Sequence, residues 1–312
     1  MLASRVGALH AQPEPWSNPG SGFLPHRIPE MTLDPRIHGA GLGLRRSLLQ
    51  PLAEREPPKL GFLEVAPENW MQIGGKLARE FRAMTERYRF VTHGLSLSLG
   101  GPAPLDEQFV RDVRIFLDAH GIRDYTEHLS YCSDDGHLYD LMPIPFTEEA
   151  VEHVAARIRR VQDLLERPLA IENVSYYAAP GQELSELQFV NAVLERADCE
   201  LLLDVNNIYV NSINHRYDPF AFLDGLKPKA VRYIHVAGHY VEAEDLRVDT
   251  HGADVIDPVW ALLERAYQRF GPLPTLLERD FNIPPLEELM MEVERVAAAQ
   301  SRHRSAARAA HG

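Results

Sequence analysis

Short apolar runs recur along the chain at 37–44, 61–66, 90–95, 124–129, 168–174, 200–205, 231–236 and 274–277. Several are continuously apolar, as strands buried on both faces are; a half-exposed strand would alternate. Stretches of helical period lie between most of them. After Thr147, Glu148 and Glu149, apolar residues recur at Val151, Val154, Ile158, Val161, Leu164 and Leu165. That spacing gives one apolar helix face, with acids at the positive end of the helix dipole. Ser185 and Gln188 have the spacing of a capping box ahead of Val190, Val193 and Leu194. Asp257 and Pro258 read as N-cap and first helical residue before Trp260, Leu263, Tyr267 and Phe270. The 111–119 stretch stops at His120 and Gly121, a helix end.

Alternation of strand and helix predicts a parallel sheet. An open doubly wound sheet would want a glycine-rich phosphate turn after its first strand, but Gly39, Gly41 and Gly43 alternate within that strand. Eight strand–helix units instead predict closure into a single TIM (βα)8 barrel over 36–296. Residues 1–35, rich in Pro, Gly and Ser without a period, are expected to form a disordered arm. The Ala-, Arg- and His-rich 297–312 is expected to be a flexible tail.

Composition narrows the partners. A net charge of −13 argues against a nucleic-acid grip, which needs clustered Lys and Arg. No apolar run approaches the ~20 residues of a membrane span, and the N-terminal stretch lacks a signal-peptide core. The chain reads as cytoplasmic. Its two cysteines, Cys132 and Cys199, allow no disulfide framework and no CxxC metal spacing, and read as reduced, partly buried thiols.

Polar residues collect where the strands end. They are Glu64 with Asn69 after the second run, His93 in the third, and Glu127 and His128 in the fourth. The fifth run ends in Glu172 and Asn173, and the sixth in Asp204, Asn206 and Asn207. His235 lies in the seventh, followed by His239, Asp249 and His251, and Glu278 with Asp280 closes the eighth. In a TIM barrel this end carries the catalytic groups. Buried carboxylates need a charged partner or a metal. An ion-pair network would need basic residues, and Arg232 and Arg279 are the nearest in sequence. Nitrogen and oxygen donors without sulfur suit Fe, Mn or catalytic Zn rather than structural zinc or magnesium. More than six such donors point to more than one ion.

The runs THGLSLSLGGP from Thr92, TEHLSYCSDDGHLYDLMPIPFTEEAV from Thr126, IENVSYY from Ile171, LLLDVNNIYVNSINH from Leu201, IHVAGH from Ile234 and DTHG from Asp249 resemble the multinuclear non-haem iron-dependent oxidative enzymes. The methanobactin biosynthesis B protein is the best-known member of that family. The resemblance runs from about Ile37 to about Val296, and the VAPENW form resembles its uncharacterised subgroup. It implies a xylose-isomerase-like barrel with two or three iron ions. With dioxygen, these would modify cysteines of a ribosomally made precursor peptide, whose leader a small partner protein often presents. Carried over, the implied iron ligands are His93, Glu127, Asn173, Asp204, His235, Asp249, His251 and Glu278. Glu64, Asn69, His128, Asn207 and His239 are implied as supporting, alternative or proton-moving residues. Many members carry a histidine two residues after the Glu64 position, where this sequence has Ala66. More distantly, the order Asp204, His235, Asp249, His251, Glu278 resembles the apurinic endonucleases and xylose-isomerase-like barrels. Asn207 stands where the endonuclease pattern has a histidine. The alternative function is therefore a metal-dependent hydrolase or isomerase.

Overall fold

The computed structural model describes residues 37–54, 60–133 and 137–311, so the expected arm at 1–35 lies outside the described residues. Those described belong to one compact unit. Its eight barrel strands are β1 (Ala40–Gly43), β2 (Phe62–Val65), β3 (Phe90–Gly94), β4 (Tyr125–His128), β5 (Ala170–Glu172), β6 (Glu200–Asp204), β7 (Val231–Val236) and β8 (Thr275–Leu277). All pair in parallel, and β1 closes the barrel by pairing with both β2 (Gly41 opposite Phe62) and β8 (Gly41 opposite Leu276). Each of the eight apolar runs contains one of these strands. The fold is a closed TIM barrel of the xylose-isomerase-like kind.

The helices are α1 (Leu49–Glu54), α2 (Gly75–Arg87), α3 (Glu107–His120), α4 (Glu148–Leu165), α5 (Glu186–Ala197), α6 (Val205–His215), α7 (Pro219–Gly225), α8 (Asp257–Phe270) and α9 (Leu286–His311). Their ends follow local chemistry. The Thr147 hydroxyl accepts from the Ala150 amide at α4, and Ser185 with Gln188 closes the capping box of α5. Gly121 takes the left-handed conformation that ends α3. One boundary differs: α8 is capped by extended Ile256 without a side-chain bond, and Asp257 lies in the first turn. Its exposed carboxylate pairs with Arg295 instead.

A second difference concerns the C-terminal end. The expected flexible tail is helical, because α9 continues through it with Ala299 and Gln300 buried. The Gln300 amide donates to the Gly39 and Leu273 carbonyls at 3.1 and 2.8 Å. Alanine-rich sequence sustains a helix, and this anchor fixes it to the barrel.

Two antiparallel hairpins that hydrophobic period did not reveal follow β4 (Tyr131–Ser133 with His137–Met142) and β7 (Tyr240–Ala243 with Leu246–Val248). Both lie at the carboxyl ends of the strands.

The barrel interior holds Phe62, Val91, Ala170, Leu202, Tyr233 and Leu276 packed together. Gly41 makes room for them: a Cβ there would sit 2.7 Å from the Phe62 ring. A strand alternates its side chains with a period of two. Two residues beyond these interior positions stand Glu64, His93, Glu172, Asp204, His235 and Glu278. Six strands thus place an acid or imidazole in the next layer up, where the interior opens to the loops.

Candidate metal centre

All six of these groups are buried, His235 and Asp204 with 0% exposure. Five of them, with His128 from the end of β4 and His251 and Asp280 from the loops, form three clusters of potential ligand atoms: His93, His128 and Glu172; then Glu172, Asp204, His235 and Glu278; then His251, Glu278 and Asp280. Glu172 belongs to the first two and Glu278 to the last two, so the clusters form a chain bridged by carboxylates.

Hydrogen bonds around the cluster assign the tautomers. The carbonyl of Gly94 lies 2.8 Å from Nδ1 of His128, which therefore carries the proton. Thr126 Oγ1 donates to the Thr92 carbonyl and so accepts from His93 Nδ1 at 2.8 Å. That leaves lone pairs on both Nε2 atoms, yet they face each other at 3.0 Å. Glu172 Oε2 is 3.1 Å from one and 3.4 Å from the other. Three acceptors this close repel unless a proton or a metal ion lies among them. Against the pull of burial, the Glu127 and Glu172 carboxylates raise His128 to about 9, which favours the proton while no metal is bound.

The middle cluster repeats the pattern. Glu64 Oε2 accepts from Tyr233 and from His235 Nε2 at 3.0 Å. In the neutral ring Nδ1 of His235 then carries the lone pair, and it lies 3.4 Å from Glu172, 3.9 Å from Asp204 and 3.0 Å from Glu278. His235 Nδ1, Asp204 Oδ2 and Glu278 Oε2 are buried without hydrogen-bond partners. Desolvated acceptors left like this are costly, and together they fit a metal ion. In the third cluster His251 Nδ1 is 3.5 Å from Glu278 and 3.3 Å from Asp280, and its Nε2 is 2.6 Å from Asp249.

The electrostatics agree. Burial pulls the His235 and His251 pKa down, but surrounding carboxylates reverse this and leave both well above the ordinary range. Burial and the Glu172 charge push Asp204 well above its usual value. The carboxylates thus favour a positive charge at each histidine ring, which a proton supplies while no metal is bound and which a metal ion on the ring nitrogens would replace. Arg232 and Arg279 do not supply the balance: Arg232 pairs with Asp124 and Glu200, and Arg279 with Asp254 and Glu292. Arg45, which the sequence reading passed over, is the arginine at the rim; it pairs with Asp280 and lies 3.9 Å from Glu278.

The structure brings together His93, Asp204, His235, His251 and Glu278 of the implied ligands, with Asp249 against His251. Two others stand differently. Asn173 is one residue beyond the inward position, and its amide exchanges hydrogen bonds with the Asp204 backbone at 2.9 and 3.0 Å. Glu127 has both oxygens engaged, by Tyr125, the Leu97 amide and the His128 amide. Strand period turns both away from the interior; their inward neighbours are Glu172 and His128. Glu172 and Asp280, which stand among the polar residues at the strand ends but not among the implied ligands, join the clusters, and period-two counting from Ala170 and from Glu278 finds each.

Of the remaining candidates, Glu64 orients His235. The Asn207 amide donates to Asp204 at 2.6 Å, while its own side-chain oxygen is buried without a partner. Asn69 is exposed, and the Arg46 side chain donates to its carbonyl. His239 donates through Nδ1 to Asn206 at 2.8 Å, and Asn206 donates to Asp249 at 2.9 Å. Burial drops the His239 pKa to about 4, leaving a neutral ring with Nε2 unpartnered. Cys132 and Cys199 are buried free thiols, and neither is in any cluster.

The family model for RiPP precursor modification enzyme MbnB/TglH/ChrH matches residues 39–301. The chain belongs to this family. The match spans the whole barrel, and every residue of the three clusters falls within it. Family members modify ribosomally made precursor peptides, so the chain is an enzyme of peptide modification. It is 62% identical over 262 residues to a UPF0276 protein of Shewanella amazonensis, covering 84% of this chain and 94% of that protein. A UPF0276 protein of Alcanivorax borkumensis is 60% identical over 287 residues, 89% of this chain and 96% of its own length. Among solved structures, an L-ribulose 3-epimerase superposes with a TM-score of 0.55 at 13% identity, covering 88% of this chain and 98% of its own. A D-psicose 3-epimerase from Clostridium cellulolyticum H10 gives 0.54 at 12% identity, with 86% and 98% covered. At that identity the likeness is one of fold. No helix among the described residues is long and apolar enough to cross a membrane.

Proposed function

We propose that this enzyme holds two or three iron ions and uses dioxygen to oxidise cysteine residues of a ribosomally made precursor peptide. The observation that carries the reading is the chain of three sulfur-free clusters, the middle one wholly buried, joined by Glu172 and Glu278. Nitrogen and oxygen ligation of this kind suits iron, and the absence of protein sulfur leaves the thiolate position to the substrate. Bound iron would supply thiolate binding and dioxygen activation.

The protein's own residues set the stage. Glu172 and Glu278 would hold neighbouring ions at fixed spacing. His128 supplies the second imidazole of the first cluster. Glu64 and Thr126 fix the tautomers of His235 and His93, so that a lone pair faces each ion. His239, kept neutral, offers Nε2 as a proton acceptor close to Asp249. A small leader-presenting partner protein belongs to the same reading.

Protein purified without oxygen should contain about two or more irons per chain, on the ligand count. With a co-expressed cysteine-containing peptide it should consume dioxygen and change the peptide's mass at cysteine. Stoichiometric zinc, no retained iron and no dioxygen consumption would sink the reading. Metal-dependent turnover without dioxygen would favour the hydrolase or isomerase alternative.

A further inference from the structure

The hairpin after β7 grows directly out of the metal centre. Its first strand, Tyr240–Ala243, begins one residue after His239, and its second, Leu246–Val248, ends one residue before Asp249. In the ladder Val241 lies opposite Arg247. The Arg247 amide donates to Asn214 Oδ1 at 2.8 Å, and its carbonyl accepts from Asn214 Nδ2 at 3.0 Å. Arg247 therefore turns its backbone groups away from the partner strand, which makes this a non-hydrogen-bonded pair. The Val241 N–H and C=O must then point to the opposite, outer edge. Asn214 blocks the edge on the Arg247 side, and the Val241 edge is left for another strand.

The side chains around that edge are unusual for a water-facing hairpin. Tyr240 is 55% exposed and Val241 56%. Tyr177, also exposed, ties its hydroxyl to the Asp249 amide at 2.9 Å, so the apolar rim is continuous with the ligand network. Arg247 spends its guanidinium on the turn carbonyls of Ala243, Glu244 and Leu246. Asp245 pairs with Arg216. Among the described residues, the exposed Glu242 and Glu244 carboxylates have no ion-pair partner.

We propose that the outer edge of Tyr240–Ala243 receives the precursor peptide as an added strand, with Lys or Arg of the peptide meeting Glu242 and Glu244. Backbone bonds to Val241 would hold an extended segment, and apolar side chains of the peptide would lie on Tyr240. The strand leads the following peptide residues to Asp249 and His251. This deepens the proposed function: it rests on a peptide substrate and on neither iron nor dioxygen.

The test uses the full metal-loaded chain and a display library of random 12-residue peptides containing one cysteine. Selection should enrich peptides with Lys or Arg near apolar residues. Bound peptide should slow hydrogen exchange at the Val241 amide. Val241→Pro, which removes the donor at an exposed edge, should weaken binding roughly tenfold or more, while Val241→Thr should not. Glu242→Lys with Glu244→Lys should shift the enriched set toward acidic peptides. No enrichment, enrichment indifferent to Val241→Pro, enrichment of acidic peptides by the unaltered chain, or protection elsewhere on the mouth would each overturn the proposal. So would protection of Val241 by a partner protein in place of the peptide. Metal content and dioxygen use of the same preparation are read separately. A zinc-loaded protein that still protects Val241 would fail the iron reading and leave the docking edge standing.

Discussion

The two ends of the barrel bury acids in opposite ways. At the amino ends of the strands, Arg232 answers both Asp124 at 3.0 Å and Glu200 at 2.5 Å. At the carboxyl ends, Glu172, Asp204 and Glu278 face imidazole lone pairs and one another, and the nearest guanidinium, Arg45, reaches only the outermost pair. Both ends belong to the same strands and the same core, so packing does not explain the difference. An ion-paired acid is what folding alone would retain, because each charge finds its counter-charge within the chain. Acids whose basic partners are histidines depend instead on a proton or a metal ion taken up from outside. The contrast separates the end whose acids are paired by arginine from the end whose side chains could hold metal.

The strongest way to break the contrast is Glu172→Gln. Because Glu172 is shared by the first and middle clusters, one change should empty two metal positions and leave only the third. Metal analysis should show that loss, and peptide-modifying activity should fall at least ~10³-fold, the scale of losing metal stabilisation of the reaction. Full metal content in this variant would mean that the carboxylate does not bridge. At the opposite end, Arg232→Met should leave metal content unchanged. It should cost about 2 kcal/mol, between the values for exposed and buried pairs, since Arg232 is partly exposed. Thermal unfolding should fall by several degrees. The same fall should appear with and without a chelator, because distant sites add. A chelator-dependent fall would join the two ends that the contrast keeps apart.

The barrel and the character of its rim were legible in the sequence because both rest on local pattern. Eight apolar runs separated by helical period leave few arrangements open, and acids and histidines at run ends need only be counted. Which of two adjacent polar residues faces inward is a finer matter, set by register against the interior layer. Glu172 and Asn173, or Glu127 and His128, look alike until Ala170 and Thr126 are known to face inside; Thr126 reaches Tyr233 across the barrel. The family resemblance implies Asn173 and Glu127 as ligands, whereas the clusters take in their neighbours Glu172 and His128. Arg45 was missed because its partner Asp280 is 235 residues away. The hairpin after β7 carries too few apolar residues to show a period, and its placement depends on the Asn214 amide.

A third buried acid sharpens the comparison, for it has neither arginine nor metal site. Glu186, at the start of α5, is buried and accepts from the Asn211 amide at 3.0 Å. Burial pushes its carboxyl up to about 7, with the Asn211, Tyr217 and Tyr176 hydrogen bonds only partly opposing. In the unfolded chain a glutamate titrates near its model value of 4.5. A raised folded pKa means that the folded state binds the proton more tightly. Its stabilising effect is therefore complete below about pH 4.5, is lost as pH rises toward 7, and stays lost above that. Glu186→Gln removes the titration while keeping an acceptor. It should leave stability nearly unchanged at pH 4.5 and raise it by about 1–2 kcal/mol at pH 8, once the weaker hydrogen bonds are allowed for. Thermal unfolding at both pH values, in the presence of a chelator, measures the difference. An equal shift at both would show that Glu186 stays ionised in the folded chain. Burial without a counter-charge would then be tolerable in this barrel, and the rim acids would no longer require a cation.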